Sequence, residues 1–256
     1  MLYRRMASAD IKTALEATLR RIEIAFARRP SDVTTAKPRL VAVSKTKPAE
    51  DVVEAYEAGQ RHFGENYVQE LVEKASHPAI LEKCKDIKWH FIGHLQTNKI
   101  QKVIKVPGLE MIETVDSEKL ANSLNKAWDQ LETDNKKPLQ ILIQVNTSGE
   151  EAKSGVKPDE TLSLYRHIVD NLPNLHVKGV MTIGKFDHDY ATGPNEDFVT
   201  LMQCHTDICK ANNLTASDVL VSMGMSADFE EAIIMGSSIV RVGSSIFGTR
   251  QRKSEC

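Results

Sequence analysis

"RLVAVSKTKPAED", residues 39–51, decides the fold. An apolar, β-branched run from Leu40 to Val43 reads as a strand. It gives way to a lysine, and Pro48 then opens a helical pattern, as proline does in a first turn. Successive side chains on a strand alternate faces, so Val41, Val43 and Lys45 share one side.

The same rhythm recurs down the chain. "HFGENY" leads into "VQELVEKA", "WHFIG" into "NKIQKVIKV", and "MIETVD" into "SEKLANSLNKAWDQL". "LQILIQVNTS" precedes "DETLSLYRHIVDNL", "LHVKGVMTIG" precedes "NEDFVTLMQCHTDICKAN", and "VLVSMGM" precedes "SADFEEAIIMG"; "IVRVGSSIFG" closes the series. An amphipathic helix over about residues 9–28 stands before the first strand. Strands alternating with helices pair in parallel through right-handed crossovers. Eight such units in about 220 residues match a (β/α)8 barrel better than an open doubly wound sheet. The expected organisation is α/β: a single TIM barrel over residues 9–249 with an extra N-terminal helix. Residues 1–8 are expected to be a flexible N-terminus and 250–256 a frayed tail.

Over 256 residues, 33 Lys and Arg stand against 35 Asp and Glu, a net charge of -2. That excludes a general attraction for nucleic acid or an anionic membrane. No apolar run nears the ~20 residues of a membrane span. "MLYRRMASADIK" has two arginines but no following apolar stretch, so no secretory signal is expected. The expected location is cytoplasmic. A mitochondrial pool is the alternative, although Asp10 and the shortness of the segment speak against a presequence. Cys84, Cys204, Cys209 and Cys256 show no CxxC spacing and read as reduced structural thiols. Cys204, His205 and Cys209 lack a second ligand pair, and no metal is expected.

An isolated lysine at a strand's end snorkels to water. The other end of the chain changes that reading. In "IVRVGSSIFG", Ile239, Arg241 and Gly243 share a parity, and on closure the eighth strand lies ~5 Å from the first. Two cations then converge on the barrel mouth, where barrel enzymes keep their working groups. Partial burial beside a guanidinium favours a neutral amine, which can attack an aldehyde and form a Schiff base. Lys47 has left the strand and is the weaker candidate. Such a pair calls for an anionic or electron-rich ligand. Ser226, read as the cap of the helix begun by Ala227 and Asp228, and Gly243 to Ser245 offer backbone and hydroxyl donors to a phosphate. They lie in the loops after strands seven and eight, the usual phosphate site of this fold. Lysine, arginine and phosphate cradle together describe a pocket for pyridoxal 5'-phosphate (PLP).

The stretches "AVSKTKP", "FGENYVQEL", "WHFIGHLQTNK", "VNTSGEEAKSG", "GVMTIG", "SMGMSADFEEAI" and "VRVGSSIFG" resemble the pyridoxal phosphate homeostasis protein family. That family is built on the barrel of the alanine racemase N-terminal domain. The resemblance runs from about residue 10 to 249 and is strongest to eukaryotic members. It implies that Lys45 carries PLP and that Arg241 faces the pyridine nitrogen. It also implies that Ser226, Gly243 and Ser244 hold the phosphate, and that Asn66 and Met223 line the pocket. Where the family motif often reads VRIGT, this chain has Ser244, which retains a hydroxyl.

Function follows partly from chemistry that is missing. A carboxylate beside the pyridine nitrogen would keep it protonated and make the ring a strong electron sink; a guanidinium only donates. Alanine racemases compensate with two bases, the lysine and a tyrosine from a second domain. After the eighth strand no such second domain is expected. None of Tyr3, Tyr56, Tyr67, Tyr165 and Tyr190 falls in a motif that would replace the tyrosine. His90 and His94 lie ~13 Å apart along a strand; His90 reads as a core residue and His94 as the start of a loop. Neither a GxSxG elbow nor a P-loop occurs. The expectation is therefore a monomeric, non-enzymatic protein that binds PLP reversibly as a Schiff base. It would buffer the cofactor and deliver it to apo PLP-dependent enzymes, met through the loop "DHDYATGPNED". The alternatives are a PLP-dependent amino-acid racemase or decarboxylase, and a Schiff-base aldolase without cofactor.

Overall fold

The structure, a computed structural model, describes residues 10–132, 137–150, 153–185, 188 and 193–249. The segments expected as flexible N-terminus and frayed tail lie outside these, as do Tyr3, Tyr190 and five of the eleven residues of the "DHDYATGPNED" loop.

Eight strands form one closed parallel barrel in sequence order: β1 Arg39–Val43, β2 His62–Glu65, β3 Lys88–Phe91, β4 Leu109–Val115, β5 Leu139–Gln144, β6 Leu175–Met181, β7 Leu220–Ser222 and β8 Ile239–Val242. The seam is a parallel β1–β8 ladder that pairs Arg39 with Ile239 and Val41 with Arg241. Between and around the strands run α1 Ile11–Ala27, α2 Ala49–Glu57, α3 Val68–Ala75, α4 Pro78–Lys83 and α5 Ile100–Val103. These are followed by α6 Glu118–Asp129, α7 Thr161–Asn171, α8 Glu196–Asn212, α9 Phe229–Met235 and the single turn α10 Ser244–Phe247.

The alternation predicted from sequence sorts the core into two layers. Phe63, Trp89 and Phe91 face outward under the helices and are fully buried. Each such phenylalanine contributes roughly 1.5–3 kcal/mol by leaving water. Val41, Met111, Leu142, Met181 and Ile239 face inward and fill the barrel. Helix starts follow their cap residues. Ser117 Oγ accepts from Leu120 N at 3.3 Å to open α6, and Asn195 Oδ1 accepts from Asp197 N at 2.9 Å to open α8.

Two differences from the sequence reading concern element ends. β1 stops at Val43, two residues before the lysine, and β8 stops at Val242, so "SSIF" is a helical turn rather than strand. α4 was not anticipated: six residues carry too little periodicity to register, although Pro78 stands at its first position. No described helix is long and apolar enough to cross a membrane.

Candidate functional site

At the C-terminal mouth of the barrel lies a cavity of about 640 Å3, within the ~300–1,000 Å3 range of ligand pockets. Lys45, Asn66, Ser226, Arg241, Gly243 and Ser244 all line it. The parity argument therefore holds at both ends of the seam: Val43 and Lys45 follow Val41 inward, and Arg241 and Gly243 follow Ile239.

Lys45 sits in the turn after β1, and the residues on either side of it are pinned from α3. Thr46 takes a left-handed backbone with φ 64°, unusual for a β-branched residue. Its N–H donates to Glu70 Oε2 at 2.7 Å. On the other side, Ser44 O accepts from Lys74 Nζ at 2.7 Å, and Ser44 Oγ donates to Glu65 Oε1 at 2.7 Å. Lys74 Nζ also lies 2.6 Å from that same Glu65 oxygen. Glu65 is fully buried, and its burial raises the carboxyl above its ordinary value against the pull of Lys74. The sequence reading missed this cluster. The signal was the i, i+3, i+4 row Leu71, Lys74 and Ala75, which puts a lysine on the buried face of α3.

Arg241 is buried beneath the cavity. Its Nη1 donates to Ser222 Oγ at 2.6 Å and its Nη2 to Thr182 O at 2.7 Å. Two of five N–H donors are thereby committed, leaving others for a ligand. Desolvation lowers the guanidinium from its ordinary value, and the negative charges of Glu113 and Asp228 oppose this.

The loops after β7 and β8 are tied together, though not as expected. Ser226 does not cap a helix: α9 begins at Phe229 with Asp228 as its cap residue. Ser226 Oγ instead accepts from Gly243 N at 3.1 Å, which bridges the two loops. A Cβ on Gly243 would stand 3.1 Å from Val43 O, so the β8 end packs closely against the β1 end. Met223 is also corrected. It is fully buried in the outer core, and Met225, two residues on, lines the cavity. Asn66 is brought to the mouth because Gly93 lets two loops meet; a Cβ there would fall 1.8 Å from Asn66 O.

Opposite the lysine stand residues the sequence did not single out. Gln144, Lys153, Ser154 and Ile183 line the far wall. His94, at a loop start as expected, contacts Ser154 Oγ at 3.0 Å. Lys153 Nζ donates to Gly184 O at 2.8 Å and pairs with the exposed Glu150. Gln144 Oε1 and Asn66 Oδ1 are buried acceptors without a protein partner, and both residues face this cavity. Among the described residues no tyrosine lines it. Tyr56 bonds Asp86, Tyr67 is exposed at the start of α3, and Tyr165 is buried in α7.

A parallel barrel whose mouth gathers an amine, a guanidinium and a serine-bridged pair of loops defines a class. Residues 26–251 match the alanine racemase N-terminal domain family. Similarity to the alanine racemase of Corynebacterium glutamicum (15% identity, TM-score 0.58, 94% of this chain and 63% of that one) is one of fold. Within that class the chain belongs to the pyridoxal phosphate homeostasis protein family. It is 52% identical over 244 residues to the human pyridoxal phosphate homeostasis protein, covering 95% of this chain and 88% of the relative. PipY of Synechococcus elongatus PCC7942, solved with PLP bound, superposes with a TM-score of 0.73 at 29% identity, covering 93% of this chain and all of that one.

Proposed function

We propose that the protein binds PLP at this mouth as a Schiff base with Lys45 and serves as a reversible cytoplasmic carrier of the cofactor, without turnover. The convergence of Lys45 and Arg241 on one cavity, across the β1–β8 seam, carries the reading. PLP supplies an aldehyde, a phosphate and a ring nitrogen, and the donor set suits each of them. Lys45 presents a primary amine, held in place by its pinned neighbours. Ser226, Gly243 and Ser244 present hydroxyl and backbone donors to the phosphate. Arg241 donates to the ring nitrogen and does not protonate it, which keeps the ring a weak electron sink and supports storage over catalysis. The family names of the relatives and the PLP held by PipY support the same reading.

Transfer to apo PLP-dependent enzymes completes the proposal. The experiment is to load the protein with PLP, reduce it with borohydride and locate the pyridoxyl group by mass spectrometry. Modification at Lys45, with no turnover across a panel of amino acids, is the expected result. Modification elsewhere overturns the site, and amino-acid turnover favours the racemase or decarboxylase alternative.

Arg241→Ala is expected to alter the visible spectrum of the bound chromophore and weaken PLP retention by about tenfold or more, the scale of a lost charged hydrogen bond. Equilibrium dialysis with absorbance scanning measures both. An unchanged spectrum and affinity would place the arginine away from the ring.

A further inference from the structure

Inside the barrel, beneath the cavity, five polar side chains form one unbroken chain. Arg241 Nη1 lies 2.6 Å from Ser222 Oγ, and Ser222 Oγ lies 2.6 Å from Glu113 Oε2. Glu113 Oε1 is 2.7 Å from His90 Nδ1, and His90 Nε2 is 2.9 Å from His62 Nδ1. Glu113, His90 and Ser222 are completely buried. β4 and β8 stand on opposite sides of an eight-stranded barrel, so the carboxylate reaches across its axis toward the guanidinium.

The direction of every hydrogen bond next to the arginine is forced. A guanidinium only donates, so Ser222 Oγ must accept from it and direct its own proton to Glu113. Glu113 therefore accepts at Oε2 and, from His90, at Oε1. Burial works against the charged carboxylate, yet the bonds from His90 and Ser222 and the nearby positive charge hold it below its ordinary value. Burial, with the neighbouring His90, pushes His62 down to about 3, so the far end of the chain is a neutral imidazole. Burying such a network costs desolvation, and well-packed apolar residues replace buried ion pairs without loss in many proteins. The adjacent interior layer of Val41, Met111, Leu142, Met181 and Ile239 shows that this barrel fills its axis with apolar groups elsewhere.

We infer that Ser222 and Glu113 are positioning residues for Arg241: through the serine hydroxyl the carboxylate fixes the guanidinium's orientation and thus which of its N–H groups face the cavity. The consequence for ligand binding rests on the proposed PLP site, while the anchoring of the guanidinium does not. Ser222→Ala removes the bridge, and Glu113→Gln removes the charge and turns one of the two accepting oxygens into a donor.

Two measurements separate the two claims. The first uses protein free of PLP and follows the Arg241 side-chain N–H signals by NMR, assigned with Arg241→Lys. Exchange of these protons with water is expected to quicken at least about tenfold in both variants, as expected for a lost buried hydrogen bond. Exchange unchanged in both overturns the anchoring; should Glu113→Gln fail to fold, Ser222→Ala decides alone. The second measures PLP affinity and the visible absorption of the loaded protein. A loss of about tenfold in affinity together with a displaced band is expected. Wild-type affinity and spectrum in both variants would cut the link to the ligand. A wild type that takes up no PLP overturns the proposed function instead, and the exchange measurement still judges the anchoring.

Discussion

Lys45→Ala should leave a folded, colourless protein from which dialysis removes all PLP and in which borohydride fixes none. The side chain is half-buried at the cavity and belongs to neither apolar core cluster, so the variant should still unfold cooperatively on heating. Retention changes far more, because the proposed Schiff base is lost and only the contacts proposed for Arg241 and the loops after β7 and β8 remain. The neighbouring Lys47 also lines the cavity, but its Nζ bonds Thr249 O at 3.3 Å from beyond the turn. A Lys45→Ala protein that still traps the pyridoxyl group at Lys47 would show that the amine's location, rather than its residue number, is what the cavity selects. Absorbance scanning and mass spectrometry of the same sample distinguish the two results.

The largest expected loss of stability comes from Lys74→Met. Methionine fills much of the lysine's volume, so the effect isolates the charge. Glu65 and the carbonyl of Ser44 then lose their shared cationic donor inside the protein, and breaking a buried pair costs about 3–5 kcal/mol. The pH dependence has a definite sign. Burial already raises the Glu65 carboxyl, and Lys74 is what opposes that rise. Without the lysine the folded form holds its proton more tightly than the unfolded chain does. The Glu65 contribution to the variant's stability is therefore greatest in acid and falls as pH rises through the elevated value. Urea titrations of both proteins between pH 4 and neutrality, the span set by an ordinary carboxyl value of ~4.3, measure this. A deficit that widens toward acid would refute the assignment of Glu65 as the group left stranded. The same variant loosens Ser44, one of the two residues flanking the amine, and should also weaken PLP retention.

Much of this architecture could be read from residues alone, and the reason is periodicity. The alternations Val41, Val43, Lys45 and Ile239, Arg241, Gly243 survive into the folded barrel unchanged, since closure fixes what lies inward. The loops after β7 and β8 were singled out by composition, but composition does not report partners. Ser226 looked like a cap and proved to be a tie between loops. Met223 and Met225 differ by one strand repeat, and only the path of the chain leaving β7 shows which one reaches the cavity. The interior relay left a faint trace. Glu113 shares parity with inward-facing Met111, and a strand that turns a carboxylate inward has to find it partners. Those partners come from β3 and β7, and no local pattern announces a contact made across the axis of a barrel.

The seam between the first and last strands has one further meaning. Lys45 and Arg241, the two residues proposed to hold the cofactor, come from segments that a ribosome delivers far apart in time, so on that proposal a growing polypeptide offers no complete home for the vitamin until the final staves close. Uptake of colour during refolding would then report closure itself, and a filled mouth would act as a clasp across the join.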